Sequence, residues 1–402
     1  MDVEIRNPSE DELQAAVGAV YSAFGDSMRD EDFERNRTLM PSDRIHTAYD
    51  DGRPVAVVAA YPLELTVPGG LLPAAGVTWV GVLPSHRRRG ILRRLMARQL
   101  EDLHGRGEPL AILWASESAI YGRFGYGIAA PNVTLQAQSD RFGFRDDPGP
   151  IGTTRLVTSE EAFELFPPVY DRVRLEVPGM CARTDDHWKL YKLADLEHWR
   201  QGAGPKFFAV LEIDGVPEGF ATYRIKSDWD QGIPQGELRV LDAIATSPMA
   251  TRDLWRFLFG IDLVVKVEQS MFDAGSPLFL MVEDARRLHL RLSDGLWLRF
   301  VALEAALKAR SYATDDSVVF EVRDEFCPWN AGRWSVGNDV RKTRSAADLE
   351  LDSRDLASAY LGAFDFHRLG AAERVRELRP GALARATALF RTTRPPFCPD
   401  EF

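Results

Sequence analysis

The chain has 402 residues, 45% hydrophobic and 27% charged. That is the balance of a globular protein with room for two or three domains, not of a disordered or fibrous one. A formal net charge of −11 argues against nonspecific nucleic-acid binding and favours a cationic partner. No apolar run is long enough to cross a bilayer, and the opening Met1-Asp2-Val3-Glu4-Ile5-Arg6 lacks the basic-then-apolar order of a secretory signal. The expectation is a cytoplasmic protein with no membrane partner.

In chain order, residues 9 to 24 carry Leu13, Val17, Val20, Tyr21 and Phe24 at helical spacing, and residues 54 to 65 alternate like a strand. A strand over residues 76 to 83, a helix over 91 to 104 and a strand over 110 to 115 follow. Together they make a β-α-β unit with a basic, glycine-ended connection. Asp146-Asp147-Pro148-Gly149-Pro150-Ile151-Gly152 reads as a linker. Beyond it, a helix over 159 to 175, strands over 207 to 213, 220 to 225 and 236 to 245, and a helix over 249 to 259 resemble the order of the first unit. Where the first unit has Arg87-Arg88-Arg89-Gly90, the second has Ser247-Pro248-Met249-Ala250-Thr251-Arg252. A loop without that glycine is a poor phosphate cradle. From about Arg286 come Asp294-Gly295-Leu296-Trp297-Leu298-Arg299, a helix near 301 to 308, strands near 318 to 322 and 333 to 336, and two later helices. The boundaries expected are 1–150, 151–285 and 286–402, all α/β (α+β).

Cys181, Cys327 and Cys398 are scattered, and the seven histidines form no HExxH or HxxxH group. Neither a disulfide framework nor a metal site is expected.

The strongest chemical signal is Val80-Gly81-Val82-Leu83-Pro84-Ser85-His86-Arg87-Arg88-Arg89-Gly90-Ile91-Leu92-Arg93-Arg94-Leu95-Met96. A strand ends, the chain turns, and a helix begins with Leu92, Leu95, Met96 and Leu103 on its inner side. The first backbone N–H groups of a helix have no intrahelical partners, and with the helix dipole they suit a pyrophosphate. Gly90 permits close backbone approach, and the arginines supply counter-charge. This loop resembles the acetyl-CoA signature of the GNAT superfamily of N-acetyltransferases, Arg/Gln-x-x-Gly-x-Gly/Ala. Arg87 and Gly90 fall on it, and Leu92 departs from its small third residue. The later Tyr121-Gly122-Arg123-Phe124-Gly125-Tyr126 is similar to the superfamily's Tyr-x-x-x-Gly-Phe/Tyr element. A phenol titrates near about 10, so Tyr121 stays protonated at neutral pH and can donate to a departing thiolate. Backbone N–H groups at the end of the strand over 80 to 82 suit a developing oxyanion.

Over its whole length the chain also resembles the Eis (enhanced intracellular survival) N-acetyltransferases. The resemblance is carried by Arg37-Thr38-Leu39 with Pro41, Leu65-Thr66-Val67-Pro68-Gly69, the loop from His86 to Leu92, Ile120 to Gly127, Asp294 to Arg299, Tyr360-Leu361-Gly362-Ala363 and Glu401-Phe402. It implies tandem GNAT-like domains, the second without a cofactor loop, followed by a sterol carrier protein-like domain. It implies acetyl-CoA contacts from Val80, Gly81, Val82, Arg88, Arg89, Gly90, Ile91, Leu92, Arg93, Ser116 and Glu117. Tyr121 would be the general acid and the α-carboxylate of Phe402 the general base. Phe24, Asp26, Trp79, Trp114 and Glu401 would line an acidic, partly aromatic pocket for a cationic amine. The implied acceptors are aminoglycosides, at several amines of one molecule, or polyamines and lysine side chains; the implied assembly is a hexamer. Asn36 stands where well-known members have tryptophan and Trp114 where they have histidine, which bears on substrate range. A lipid carrier with a vestigial transferase is the competing reading.

Overall fold

Residues that alternate along one strand reach opposite faces of a sheet, and this rule organises the first half of the chain. In the computed structural model, which describes residues 3–139 and 142–402, strands β1 (Glu4–Arg6), β2 (Ile45–Asp50), β3 (Arg53–Val67), β4 (Gly70–Val82) and β5 (Leu110–Trp114) lie side by side in that order. Neighbours are antiparallel except β4 and β5, which are parallel. Val57 and Ala59 of β3 pack under helix α1 (Glu10–Ala23) with its Leu13, Val17 and Val20. Ala56, Val58 and Ala60 face the other way, onto Ile91, Leu95, Met96 and Leu103 of helix α3 (Ile91–Gly105). Both faces are covered, so in place of the alternation expected over residues 54 to 65 the stretch Val55 to Ala60 is buried and apolar throughout. Each fully buried Leu or Met contributes about 1.5–3 kcal/mol. Leu92, expected on the inner side, is only half-buried.

Helix α2 (Asp30–Leu39) has no counterpart in the expectation, because it is mostly charged and buries only Phe33 and Asn36. The predicted strand over 76 to 83 extends back to Gly70, where Gly69, at φ +92°, turns the β3–β4 hairpin.

Contacts divide the chain into two units. One holds the residues up to Ala130 together with Asp294–Pro396 and Asp400–Phe402; the other holds Pro131–Ser293 and Phe397–Pro399. In the first, residues Leu296–Phe300 pair antiparallel with β5, Leu296 opposite Trp114 and Phe300 opposite Leu110. A separate five-stranded sheet is built from Val318–Arg323, Gly332–Val336, Arg341–Lys342, Leu349–Asp352 and Val375–Glu377. Its interior is filled by Phe320, Phe366 and Phe390, with ring centroids 5.1–5.9 Å apart. Three helices follow where two were expected, Ser353–Tyr360, Phe366–Ala371 and Ala382–Phe390; the six-residue middle one is too short to show a period. Arg299 is wholly buried and gives both Nη atoms to Asp324, each at 2.7 Å.

In the second unit, the strands Gly236–Ala245 and Val264–Phe272 run parallel, and Val216–Lys226 and Phe207–Ile213 continue the sheet antiparallel. Helices Ser159–Arg174 and Pro248–Phe259 cover it. Lys206 Nζ donates to the main-chain oxygens of Tyr191 and Lys192, at 3.0 and 2.8 Å. Among the described residues, no helix is long and apolar enough to cross a membrane. Cys181, Cys327 and Cys398 are all buried.

Candidate active site

The site grows from two irregularities in the first sheet. Val57 pairs with Gly81 and Ala59 with Thr78, so two steps along β3 meet three along β4. The extra residue lies at Trp79–Val80, and Trp79 takes φ +53°, a left-handed value unusual for a bulky side chain. Such a bulge takes main-chain groups out of the ladder and re-aims them. The second irregularity is the β4–β5 pair. It is held only at Ala74–Leu110, Ala75–Ala111 and Gly76–Ile112. Past Gly76 the carboxyl ends of both strands run on without a shared ladder, where parallel α/β sheets accept ligands.

Val80 and Val82 are half-buried at this open end. Gly81 is buried, and a Cβ there would come within 3.3 Å of Ala23, so its glycine serves the close seating of α1. The loop then runs out to Arg88, exposed with φ +64°, and to Gly90 at φ +77°, the N-cap of α3. No side chain caps this helix, and a Cβ at Gly90 would meet nothing within 4 Å. The N–H groups of Ile91, Leu92 and Arg93 therefore start a 15-residue helix beside open space, flanked by the exposed Arg88, Arg89 and Arg93. These residues fit a CoA pyrophosphate. Arg87 instead braces the loop. Its Nε donates to Val82 O at 3.2 Å and its Nη2 to Ala23 O at 3.1 Å, tying the loop to β4 and α1. The second unit contrasts with this. There Ser247 Oγ accepts from Ala250 N at 3.1 Å and Pro248 opens the helix, so those helical donors are already capped or missing.

Tyr121 ends the short helix α4 (Ser118–Tyr121), one turn past β5, and is 4% exposed. Burial pushes its phenol above the usual value, a hydrogen bond with the Ser116 side chain works the other way, and the charge of Glu117 adds to the rise. It stays a proton donor at neutral pH. Ser116 and Glu117 are exposed between β5 and α4.

The end of the chain returns to this region. Trp114 Nε1 donates to Asp400 O at 2.6 Å. Phe402 is half-buried, and its ring lies where a Cβ on Gly76 would come within 3.2 Å. Phe402 thus sits on the last paired rung of β4 and β5. Glu401 is exposed.

The remaining expected pocket residues lie in the same unit. Phe24, 59% exposed, caps the C-terminus of α1. The exposed Asp26 gives its N–H to Tyr21 O, and Ser27 N donates to its carboxylate. Trp79 packs with Tyr21, Met28 and Tyr61 against the α1 core. Asn36 Nδ2 donates to Tyr21 Oη at 3.5 Å. Tyr61, which packs with Trp79, lies opposite Gly76, the residue on which Phe402 rests. Gly76 and Asp50 were missed. A glycine inside a strand pattern is the signal that could have marked Gly76 as a close approach. Asp50, which meets His86 Nε2 at 3.0 Å and Arg89 at 3.8 Å, left no sequence signal.

The acetyltransferase (GNAT) domain family matches residues 4–129, a second acetyltransferase (GNAT) family matches 179–299, and the sterol carrier protein domain matches 303–399. An uncharacterized N-acetyltransferase of Streptomyces avermitilis is 40% identical over 410 residues, spanning 100% of both chains. The N-acetyltransferase Eis of Mycobacterium tuberculosis is 34% identical over 420 residues, again 100% of both. The crystal structure of Eis1 from Mycobacterium abscessus superposes with a TM-score of 0.86 at 34% identity, covering 99% of this chain and 100% of that one.

Proposed function

The chain belongs to the Eis family of GNAT N-acetyltransferases, and from that premise we propose that its acceptors are primary amines of polycations, aminoglycosides foremost. GNAT enzymes take the acetyl group from acetyl-CoA, whose thioester supplies the activated acyl carbon. In our reading the N–H groups of the β4 bulge, at Val80 to Val82, face the developing oxyanion. Tyr121 Oη gives its proton to the departing sulfur, and the Phe402 α-carboxylate takes one from the attacking nitrogen. Arg88, Arg89, Gly90, Ile91, Leu92 and Arg93, with Ser116 and Glu117, hold the cosubstrate. Phe24, Asp26, Trp79, Trp114 and Glu401 receive the amine, whose charge the acidic protein attracts.

The observation that carries this reading is the seat of Phe402 on Gly76, where β4 and β5 part. A carboxylate on that residue has a reason to be near the transfer. The aromatic filling of the C-terminal sheet argues against a lipid-carrier role. The family resemblance further suggests a cytoplasmic hexamer with module boundaries near residues 150 and 285. The test is acetyl-CoA consumption with an aminoglycoside panel against a lysine-peptide panel. Turnover confined to the peptides would remove aminoglycosides as acceptors and leave the lysine reading.

A further inference from the structure

Arg93, in the first turn of α3, holds its guanidinium carbon 5.2 Å from the centre of the Phe326 ring. Phe326 falls within the sterol carrier protein match at 303–399, yet it lies in the same compact unit as α3. Its half-buried ring meets that of Phe124 edge-on, with centroids 5.1 Å apart, and packs on the core that contains Ile91, Leu95 and Phe124.

The segment that presents this ring is pinned on both sides of it. The Asp324 carboxylate, already paired with the buried Arg299, accepts from Cys327 N at 2.9 Å. Asn330 Nδ2 donates to Phe300 O at 2.9 Å, and Trp329 Nε1 to Val301 O at 2.7 Å. The Trp329 ring in turn lies 4.7 Å from that of His104, in the last turn of α3. Two aromatic residues of one short segment therefore touch α3 at its two ends.

A cation within about 6 Å of a ring centroid is attracted by the ring's quadrupole. That attraction uses none of the guanidinium N–H donors, which remain available to phosphate oxygens. A long side chain loses rotamer freedom when it grips a ligand, and a fixed platform beneath it removes part of that loss in advance.

We propose that Phe326 is a positioning residue for acetyl-CoA, its ring holding the Arg93 guanidinium ready for the phosphates of the cosubstrate. The sterol carrier protein domain thereby takes part in cosubstrate binding. This rests on the reading of Arg93 as a cosubstrate contact, and it is independent of which amine is acetylated.

Calorimetry with CoA and steady-state kinetics, on the full chain, test it. Phe326→Leu keeps an apolar side chain and removes the ring face. It should weaken CoA and raise the acetyl-CoA KM by about two- to fivefold, the range of an exposed cation–π contact, with kcat unchanged. Phe326→Tyr keeps the face and should bind CoA like the wild type. Arg93→Met should weaken CoA by roughly tenfold, and adding Phe326→Leu to it should cost nothing further. If Phe326→Leu does not fold, Phe326→Met fills the same space without a ring and should show the same loss. Wild-type CoA affinity in Arg93→Met would remove Arg93 from the cosubstrate site, and the proposal with it. Lost affinity in Arg93→Met but not in Phe326→Leu would overturn the proposal alone. So would a fall in kcat at unchanged CoA affinity, the mark of a disturbance reaching Tyr121 through Phe124. Additive losses in the double variant would do the same, because Phe326 would then not act through Arg93.

Discussion

The indole Nε1 of Trp114, at the carboxyl end of β5, donates to the main-chain oxygen of Asp400 at 2.6 Å, across 286 residues of sequence. That bond fixes the residues just before Phe402. Trp114→Phe keeps a smaller aromatic ring and removes the donor; the hydrogen bond alone is worth about 0.5–1.5 kcal/mol. The expected result is a fall in kcat of up to roughly tenfold, with CoA affinity unchanged. Steady-state kinetics and calorimetry on the variant check it. A change confined to the acceptor KM would assign Trp114 to substrate contact instead.

Appending a few residues after Phe402 converts its α-carboxylate into an amide and leaves every side chain unchanged. If the carboxylate is the base, acetylation collapses while acetyl-CoA still binds. Native turnover in the extended chain would pass the role to Asp26 or Glu401 acting through water.

Tyr121→Phe removes one hydroxyl from a buried ring. Acetyl-CoA binding should persist and kcat should drop by roughly 10²- to 10⁴-fold where chemistry limits the rate. Because burial holds the phenol above its usual range, the wild-type rate should not decline through loss of this proton below about pH 10. Stopped-flow rates across pH, with and without the hydroxyl, provide the check.

Calorimetry should count one acetyl-CoA per chain. In the second unit Ser247 already caps the helix that begins at Pro248. Two equivalent sites would show that this cap does not block a pyrophosphate.

Lys206 makes stability depend on pH. Burial, reinforced by the nearby Arg224 and Lys192, pulls its ammonium down to about 7, against the opposing pull of Asp242 and Asp195. In the unfolded chain it titrates near about 10.4. Between those values the unfolded chain holds a proton that the folded one does not, so stability rises with pH across this window. Below it both forms are charged and the burial penalty is felt in full. Urea midpoints should therefore increase from about pH 7 to about pH 9.5, and Lys206→Met should flatten that rise.

Much of the architecture is legible from pattern. The apolar stripe of α1, the β-α-β unit ending at Leu110–Trp114 and the glycine of the phosphate loop are all visible, because periodicity and a glycine at a turn are local signals. The charged α2 and the six-residue helix Phe366–Ala371 are not, since tertiary contacts rather than a stripe hold them. Of the candidate site, Tyr121 and Gly90 stand out through short motifs. The bulge at Trp79 depends on how β3 and β4 are registered, and Gly76 on what returns to cover it. Those relationships join residues far apart in the chain, and no local pattern records them. The bracing by Arg87 likewise emerges only with the two carbonyls it reaches.

The three buried thiols have a practical consequence at the bench. Cys181, Cys327 and Cys398 are 2%, 0% and 4% exposed, and burial pushes the Cys327 thiol up to about 11. Thiolates, not thiols, attack disulfide reagents. A colorimetric thiol titrant added during turnover should therefore record the CoA set free by each acetylation above a nearly silent protein background, so that acceptor panels can be read continuously without a coupling enzyme.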